Sequence, residues 1–394
     1  MIDCALVRAD RGRILDWLKG MIGINSVNPS LVEGGAGEAA MAGFTADACA
    51  GMGLDVSIDG PSPDRPNVIA VLKGSRPSPR KNLLLNGHLD TVGLGGMNEP
   101  LVPRLVGGRL YGRGALDMKG GLAAILGALD VICRSGVRLQ GDVVFAATSD
   151  EEYASIGARH AAERIRAGGA IVAEATDMGL CLAHKGFAWL KVETHGRAAH
   201  GSLPSDGVDA ITKMGGFIAK LEEYSRVDLG SRRHGLLGSP SLHASTITGG
   251  TELSTYPDRC TLMIERRTIP GESADMVLGE IRAILDSLSK CDPLFKADCE
   301  VSLFRPAYEV GGDSPIAEAV SDAFASVVGS PPRVIGLAAW LDSGIFGPGG
   351  IPSVIIGPSG RGQHGDEEFV DIDSVCDLAE VIAGAALRFC GVSR

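Results

Sequence analysis

The sequence predicts an α/β protein with a mostly parallel sheet covered by helices on both faces, interrupted by a small inserted α+β domain. Three observations lead there. Short continuous apolar runs ending in Gly, His or acids alternate with helical patterns along the first part of the chain, as in sheets buried on both faces. The rhythm changes near Phe187 to strand-helix-strand-strand-helix-strand, the split βαβ order of ferredoxin-like modules. After Arg305 the helix–strand alternation returns. The reading is therefore one discontinuous α/β domain, 1–186 and 303–394, carrying an insertion at 187–302.

Each element follows from its own pattern. MIDCALVRADRGRILDWLKG mixes charges through apolar positions and reads as an amphipathic surface helix. NVIAVLKG, KNLLLNGHLDTV, GDVVFAATSDEE and AIVAEATD read as buried strands. GGLAAILGALDVIC has helical spacing through Leu122, Ile125, Leu126, Leu129 and Ile132. In the insertion, FAWLKVETHG, SLHASTITGG, RCTLMIERRTI and KADCEVSLF read as strands, and GVDAITKMGGFIAKLEEY and ADMVLGEIRAILDSL as helices. SPIAEAVSDAFASVV, PRVIGLAA, IPSVIIGP and a terminal helix from Asp373 complete the larger domain.

Composition excludes several function classes. The 394 residues suit two or three domains, and 45% apolar with 22% charged residues is ordinary for a globular chain. Lys and Arg number 37 against 48 Asp and Glu, a net charge of −11, which argues against nucleic acid as partner because phosphate binding needs clustered cations. No apolar run approaches the roughly 18 residues of a spanning helix, and the N-terminus has no signal-peptide apolar region, so neither a membrane nor secretion is expected. Nine cysteines stand singly with no CxxC pair, which suits reduced thiols in the cytoplasm.

The chemistry gathers at strand ends. His88-Leu-Asp90 ends one apolar run, Asp117 lies in GRGALDMKGG just before a helix, and Glu151 and Glu152 follow GDVVFAATSD. Glu174 ends AIVAEA, and His364 follows IPSVIIGP. Singly, each reads as a cap or a solvated loop residue. Together His88, His364, Asp117, Glu152 and Glu174 place two imidazoles and three carboxylates at the sheet edge where open α/β sheets bind ligands. Two divalent cations with one hydroxide would leave that cluster near neutral. A donor set of nitrogen and oxygen without thiolate suits Zn²⁺, Co²⁺ or Mn²⁺. Glu151 is then left as general base. GRGALDMKGG lacks the GK[ST] ending of a phosphate loop, and no G-x-S-x-G motif points to a serine hydrolase. A binding protein that had lost its chemistry would lack Glu151 or a ligand, and all these positions are filled.

HLDTV, GRGALDMKGG, SDEE, AEAT, AAHGSLP, GG…YPD…ERRTIPGES and GP…HGDEEFV, in this order from about residue 65 to 372, resemble the M20 metallopeptidase family, in its acetylornithine deacetylase / succinyl-diaminopimelate desuccinylase branch. The resemblance implies that His88 and Glu174 bind one metal, Glu152 and His364 the other, and Asp117 both, with Zn²⁺ the leading candidate. Asp90 orients His88, Glu151 is the acid/base, and the Asp117–Met118 peptide is cis. The insertion becomes a lid and dimerisation domain, and His200 stabilises the oxyanion in the partner subunit's site of a homodimer.

For Arg267, strand alternation puts Leu262, Ile264 and Arg266 on one face and Met263, Glu265 and Arg267 on the other. Pairing with Glu265 and gripping a substrate carboxylate are both open on sequence alone, and the resemblance implies the second. Ser254 stands where many members carry a substrate-contacting Asn, and Trp340 is unusually bulky beside Asp342-Ser343. His184 and His195 read as structural, Cys181 as a buried thiol. The expected activity is hydrolysis of an N-acyl amino acid by a metal-dependent deacylase, with a dipeptidase or carboxypeptidase on the same site as the alternative.

Overall fold

The computed structural model describes residues 8–393. Residues 1–7, the start of the expected N-terminal helix, lie outside the described residues; the helix that follows spans Arg11–Gly23 and is capped by Asp10, whose carboxylate accepts from the Arg13 amide. The chain divides into two units. One comprises the residues up to Leu182, Val310–Ile335 and everything from Leu341; the other comprises Ala183–Glu309 and Gly336–Trp340.

The larger unit is an α/β layer structure. Its sheet runs in the order Asp55–Ser62, Arg65–Leu72, Val143–Thr148, Leu83–His88, Gly169–Val172, Ser353–Ile355 and Leu180–His184. The strands from Val143–Thr148 to Ser353–Ile355 are mutually parallel, whereas both flanks pair antiparallel, so the sheet is mixed. The antiparallel edge strand Asp55–Ser62 escapes a hydrophobic reading because its sequence, DVSIDGPS, is mostly exposed. By contrast Leu83–His88 and Val143–Thr148 are buried at every position, as expected for strands covered on both faces.

The helix Gly120–Ser135 is buried throughout its first thirteen residues, more than an amphipathic stripe requires. Gly127 explains how. A Cβ there would stand 2.7 Å from Ile14 Cδ1 and 2.9 Å from Ala379 Cβ, so its absence lets Arg11–Gly23 and Ile372–Cys390 close onto the same helix. A small antiparallel sheet of Arg104–Val106, Arg109–Tyr111, Phe369–Asp371 and Gly360–Arg361 joins the Asp117 segment to the His364 segment.

The smaller unit has the expected strand-helix-strand-strand-helix-strand order, with sheet order Ser241–Gly249, Arg259–Thr268, Gly186–His195, Lys296–Arg305, all antiparallel. One face buries Leu190, Val192, Leu262 and Ile264 against Phe217 and Ile281 of its two helices. Arg266 shares that face and is 1% exposed, neutralised by Glu272 at 2.6 Å. Among the described residues no helix is long and apolar enough to cross a membrane.

Candidate metal centre

Five donors singled out in the sequence converge in the larger unit. His88, at the end of a central strand, is 1% exposed; its Nε2 lies 3.1 Å from Asp117 Oδ1 and 3.3 Å from Glu174 Oε1. The other Asp117 oxygen, Oδ2, lies 3.3 Å from His364 Nε2, which is 3.2 Å from Glu152 Oε2. Asp117 thus stands between two imidazoles, each with a glutamate of its own. The Asp117–Met118 peptide is cis. A ligand atom of Glu151 lies within 4.8 Å of those of His88 and Glu174.

Asp90 ties this cluster together in two ways. Its backbone carbonyl lies 2.9 Å from His88 Nδ1, nearer than its carboxylate at 3.7 Å, so the main chain fixes the imidazole tautomer. The carboxylate instead accepts the amides of Glu151 at 3.1 Å and Glu152 at 3.2 Å, and the Asn28 side-chain amide at 2.7 Å.

The electrostatics fit a cation. Burial, reinforced by the Asp117 charge, pushes the Glu152 carboxyl up to about 7, and burial also raises Glu151 and Glu174. Burial opposes ionisation of Asp117 too, yet hydrogen bonds from His364 and His88 hold it well below the usual carboxylate range. The bonds to Asp117 and then Glu152 raise His364 to about 10. Glu152 Oε1 is buried without a hydrogen-bond partner. Carboxylates and imidazoles that share protons for want of other charge, with a buried carboxylate oxygen left over, form a donor set that divalent ions would occupy by displacing those protons.

Sequence reasoning missed the groups that hold the donors. Arg65, Glu38, Asn28 and Asp150 form a buried network beneath the Glu151–Glu152 turn. Glu368 accepts the amides of Gly114, Leu116 and Asp117. Only Asp150 and Glu368 lay in quoted motifs, and nothing in SDEE or HGDEE says which acid is buried.

The remaining sequence candidates lie in the smaller unit. His200 and Ser254 are neighbours, because Gly201 N donates to the Ser254 carbonyl at 2.8 Å and His200 bridges to Thr255. His200 Nδ1 accepts the Ser202 amide at 3.2 Å, so the neutral ring carries its proton on Nε2. Arg267 donates through Nε to Glu265 at 2.7 Å and stacks on Phe187 at 5.1 Å. His184 is fully buried, and His195 pairs with Asp298 at 2.8 Å. Trp340 donates to the Pro306 carbonyl at 3.1 Å.

The chain is 28% identical to acetylornithine deacetylase of Myxococcus xanthus over 85% of its own length and 87% of that protein. It is 29% identical to N-formyl-4-amino-5-aminomethyl-2-methylpyrimidine deformylase of Bacillus subtilis, over 83% and 84%. Aminopeptidase PepT of Bacillus cereus shares the fold at a TM-score of 0.81 with 20% identity, over 97% of this chain and 100% of that one. A dinuclear metal-binding M20 peptidase of Bacillus subtilis superimposes at 0.75 with 16% identity, over 96% and 97%. The profile of Peptidase family M20/M25/M40 matches residues 84–388. That span takes in every proposed donor, and the chain is a hydrolase of amide bonds that belongs to peptidase family M20/M25/M40.

Proposed function

We propose that the protein is a dinuclear-metal deacylase that hydrolyses an N-acyl amino acid to a carboxylate and a free amino acid. The observation that carries this is Asp117, whose two oxygens face separate imidazoles, each partnered by its own glutamate. His88 and Glu174 would hold one ion, Glu152 and His364 the other, and Asp117 both. Zn²⁺ suits the donors best, with Co²⁺ or Mn²⁺ as substitutes. Such an ion pair, when bound, polarises a carbonyl and acidifies water.

The protein's own groups do the rest. Glu151, fixed by its amide to Asp90, takes a proton from the attacking water and delivers it to the leaving amine. His200 offers an Nε2–H donor suited to an oxyanion. Arg267 supplies a planar fork for the substrate carboxylate. Small N-acyl substrates, rather than peptides, are favoured by the names of the relatives, a deacetylase and a deformylase. We read the protein as a cytoplasmic homodimer, paired through the smaller unit, with no nucleic-acid or membrane partner.

A hydrolysis panel tests this reading: N-formyl, N-acetyl, N-succinyl and longer N-acyl amino acids beside dipeptides, with Zn²⁺, Co²⁺ or Mn²⁺ added. Cleavage of the acylated substrates is expected. Preference for a free α-amine would move the assignment to a dipeptidase, and no cleavage with metal bound would favour a binding protein.

A further inference from the structure

The two halves of the metal centre are supported differently. His88 is 1% exposed at the end of a strand paired on both sides. The His364 side chain is 55% exposed and its backbone sits at φ 61°, so neither packing nor a strand ladder fixes it. What lies behind it is a buried ion pair. Glu368, 1% exposed, accepts the Leu116 and Asp117 amides through Oε1 at 2.8 and 3.0 Å. Its Oε2 accepts the Gly114 amide at 2.8 Å and Arg113 Nη1 at 3.0 Å. Arg113 Nη2 then donates to the Gly365 carbonyl, next to His364, at 2.8 Å. Charge-assisted bonds therefore stitch the Asp117 loop to the His364 loop.

Resting on the dinuclear reading above, we propose that Arg113 and Glu368 form a clamp that sets the second metal position, the one made by Glu152, Asp117 and His364. Neither side chain would touch an ion. Both act through backbone: Glu368 through the amide of the shared Asp117, Arg113 through the carbonyl after His364. Loss of the clamp frees the exposed imidazole from its partners and leaves the sheet-borne His88–Glu174 position standing. The two positions then differ in affinity because one is built on the sheet and the other on a stitched pair of loops.

Calorimetric titration of metal-free protein with Zn²⁺ alone tests this. The unaltered protein takes up two ions, and His364→Ala marks the step belonging to the second position. Glu368→Gln, which keeps the volume and an acceptor oxygen, weakens the second step roughly 10–100-fold and the first, which shares Asp117, far less. Arg113→Lys gives the same split, since the shorter lysine has one nitrogen where Arg113 spans Glu368 and Gly365 with two. Two ions in the unaltered protein with an unchanged second step in both folded variants would overturn the clamp alone. Equal weakening of both steps, or loss of the fold in both variants by circular dichroism, would make the pair a general structural element and overturn it too. Uptake of fewer than two ions by the unaltered protein would overturn the dinuclear reading itself.

Discussion

The Arg65 guanidinium meets the Asp150 carboxylate at 2.6 Å, in contact also with Glu38 at 2.8 Å, and none of the three side chains is more than 10% exposed. Asp150 precedes Glu151 and sits at φ 69°, and Asn28 Nδ2 bridges it to Asp90. The turn that carries Glu151 and Glu152 therefore rests on one buried cation. Arg65→Met would leave two buried carboxylates without their counter-charge, a change expected to cost about 3–5 kcal/mol. Denaturant unfolding measures it; a loss of only about 0–1 kcal/mol, typical of an exposed pair, would place Arg65 outside the stabilising network.

Glu151→Gln preserves shape and removes the proton carrier. Turnover should fall about 10²–10⁴-fold while elemental analysis finds the metal content of the unaltered protein. An active variant would mean the base is misassigned. Chelation of the unaltered protein should abolish turnover and Zn²⁺ should restore it.

Arg267→Lys separates the two readings of that side chain. A guanidinium can hold Glu265 through Nε and a substrate carboxylate through its Nη groups, whereas an ammonium is a point charge. Activity on N-acyl amino acids should drop far more than activity on the matching amides, which lack the carboxylate. Equal losses on both would confine Arg267 to its pairing with Glu265.

His184 should impose a pH dependence on stability. Its ring is fully buried, Nδ1 donates to the Lys185 carbonyl at 2.9 Å, and Nε2 has no partner, so burial pushes its pKa down from 6.5 to about 4. Unfolding lets the ring take up a proton at higher pH. The unfolded state therefore binds more protons between pH 6.5 and about 4, and stability falls as the pH drops through that window. Below it the loss from this ring is on the order of 3 kcal/mol. In His184→Gln the unfolding free energy should be flatter against pH over the same range; identical slopes would rule the ring out as the source.

His200 and Glu151 offer a test of shared sites. If His200 serves the partner subunit, mixing inactive His200→Ala with inactive Glu151→Gln under subunit exchange regenerates dimers with one intact site, and activity returns. Absence of recovery, with exchange verified by mass, would place His200 in its own subunit's site or outside catalysis.

Much of this architecture was readable because burial leaves a period. His88 ends a run of buried residues, and the alternation in CTLMIERRT by itself puts Arg266 inside and Arg267 outside. The polar supports left no such trace. Arg65 and Glu38 are 27 residues apart and meet only through the fold, so no local spacing could reveal them. Three consecutive acids in HGDEE are alike in sequence, and only packing distinguishes Glu368, which accepts three backbone amides, from its exposed neighbours. The antiparallel edge at Asp55–Ser62 was hidden for the opposite reason, since an exposed polar strand has no hydrophobic period to detect.

The position of Ser353–Ile355 in the sheet, between Gly169–Val172 and Leu180–His184, sets an order of events during synthesis. A ribosome finishes the whole of Ala183–Glu309 before it makes this strand, a delay of roughly ten seconds or more at ordinary elongation rates. By the end of that interval the smaller unit has all of its strands, while the larger one still exposes the unpaired edge of Gly169–Val172 and lacks His364. A stalled or truncated nascent chain would thus be a client for chaperones, with one finished module attached to an adhesive half-sheet.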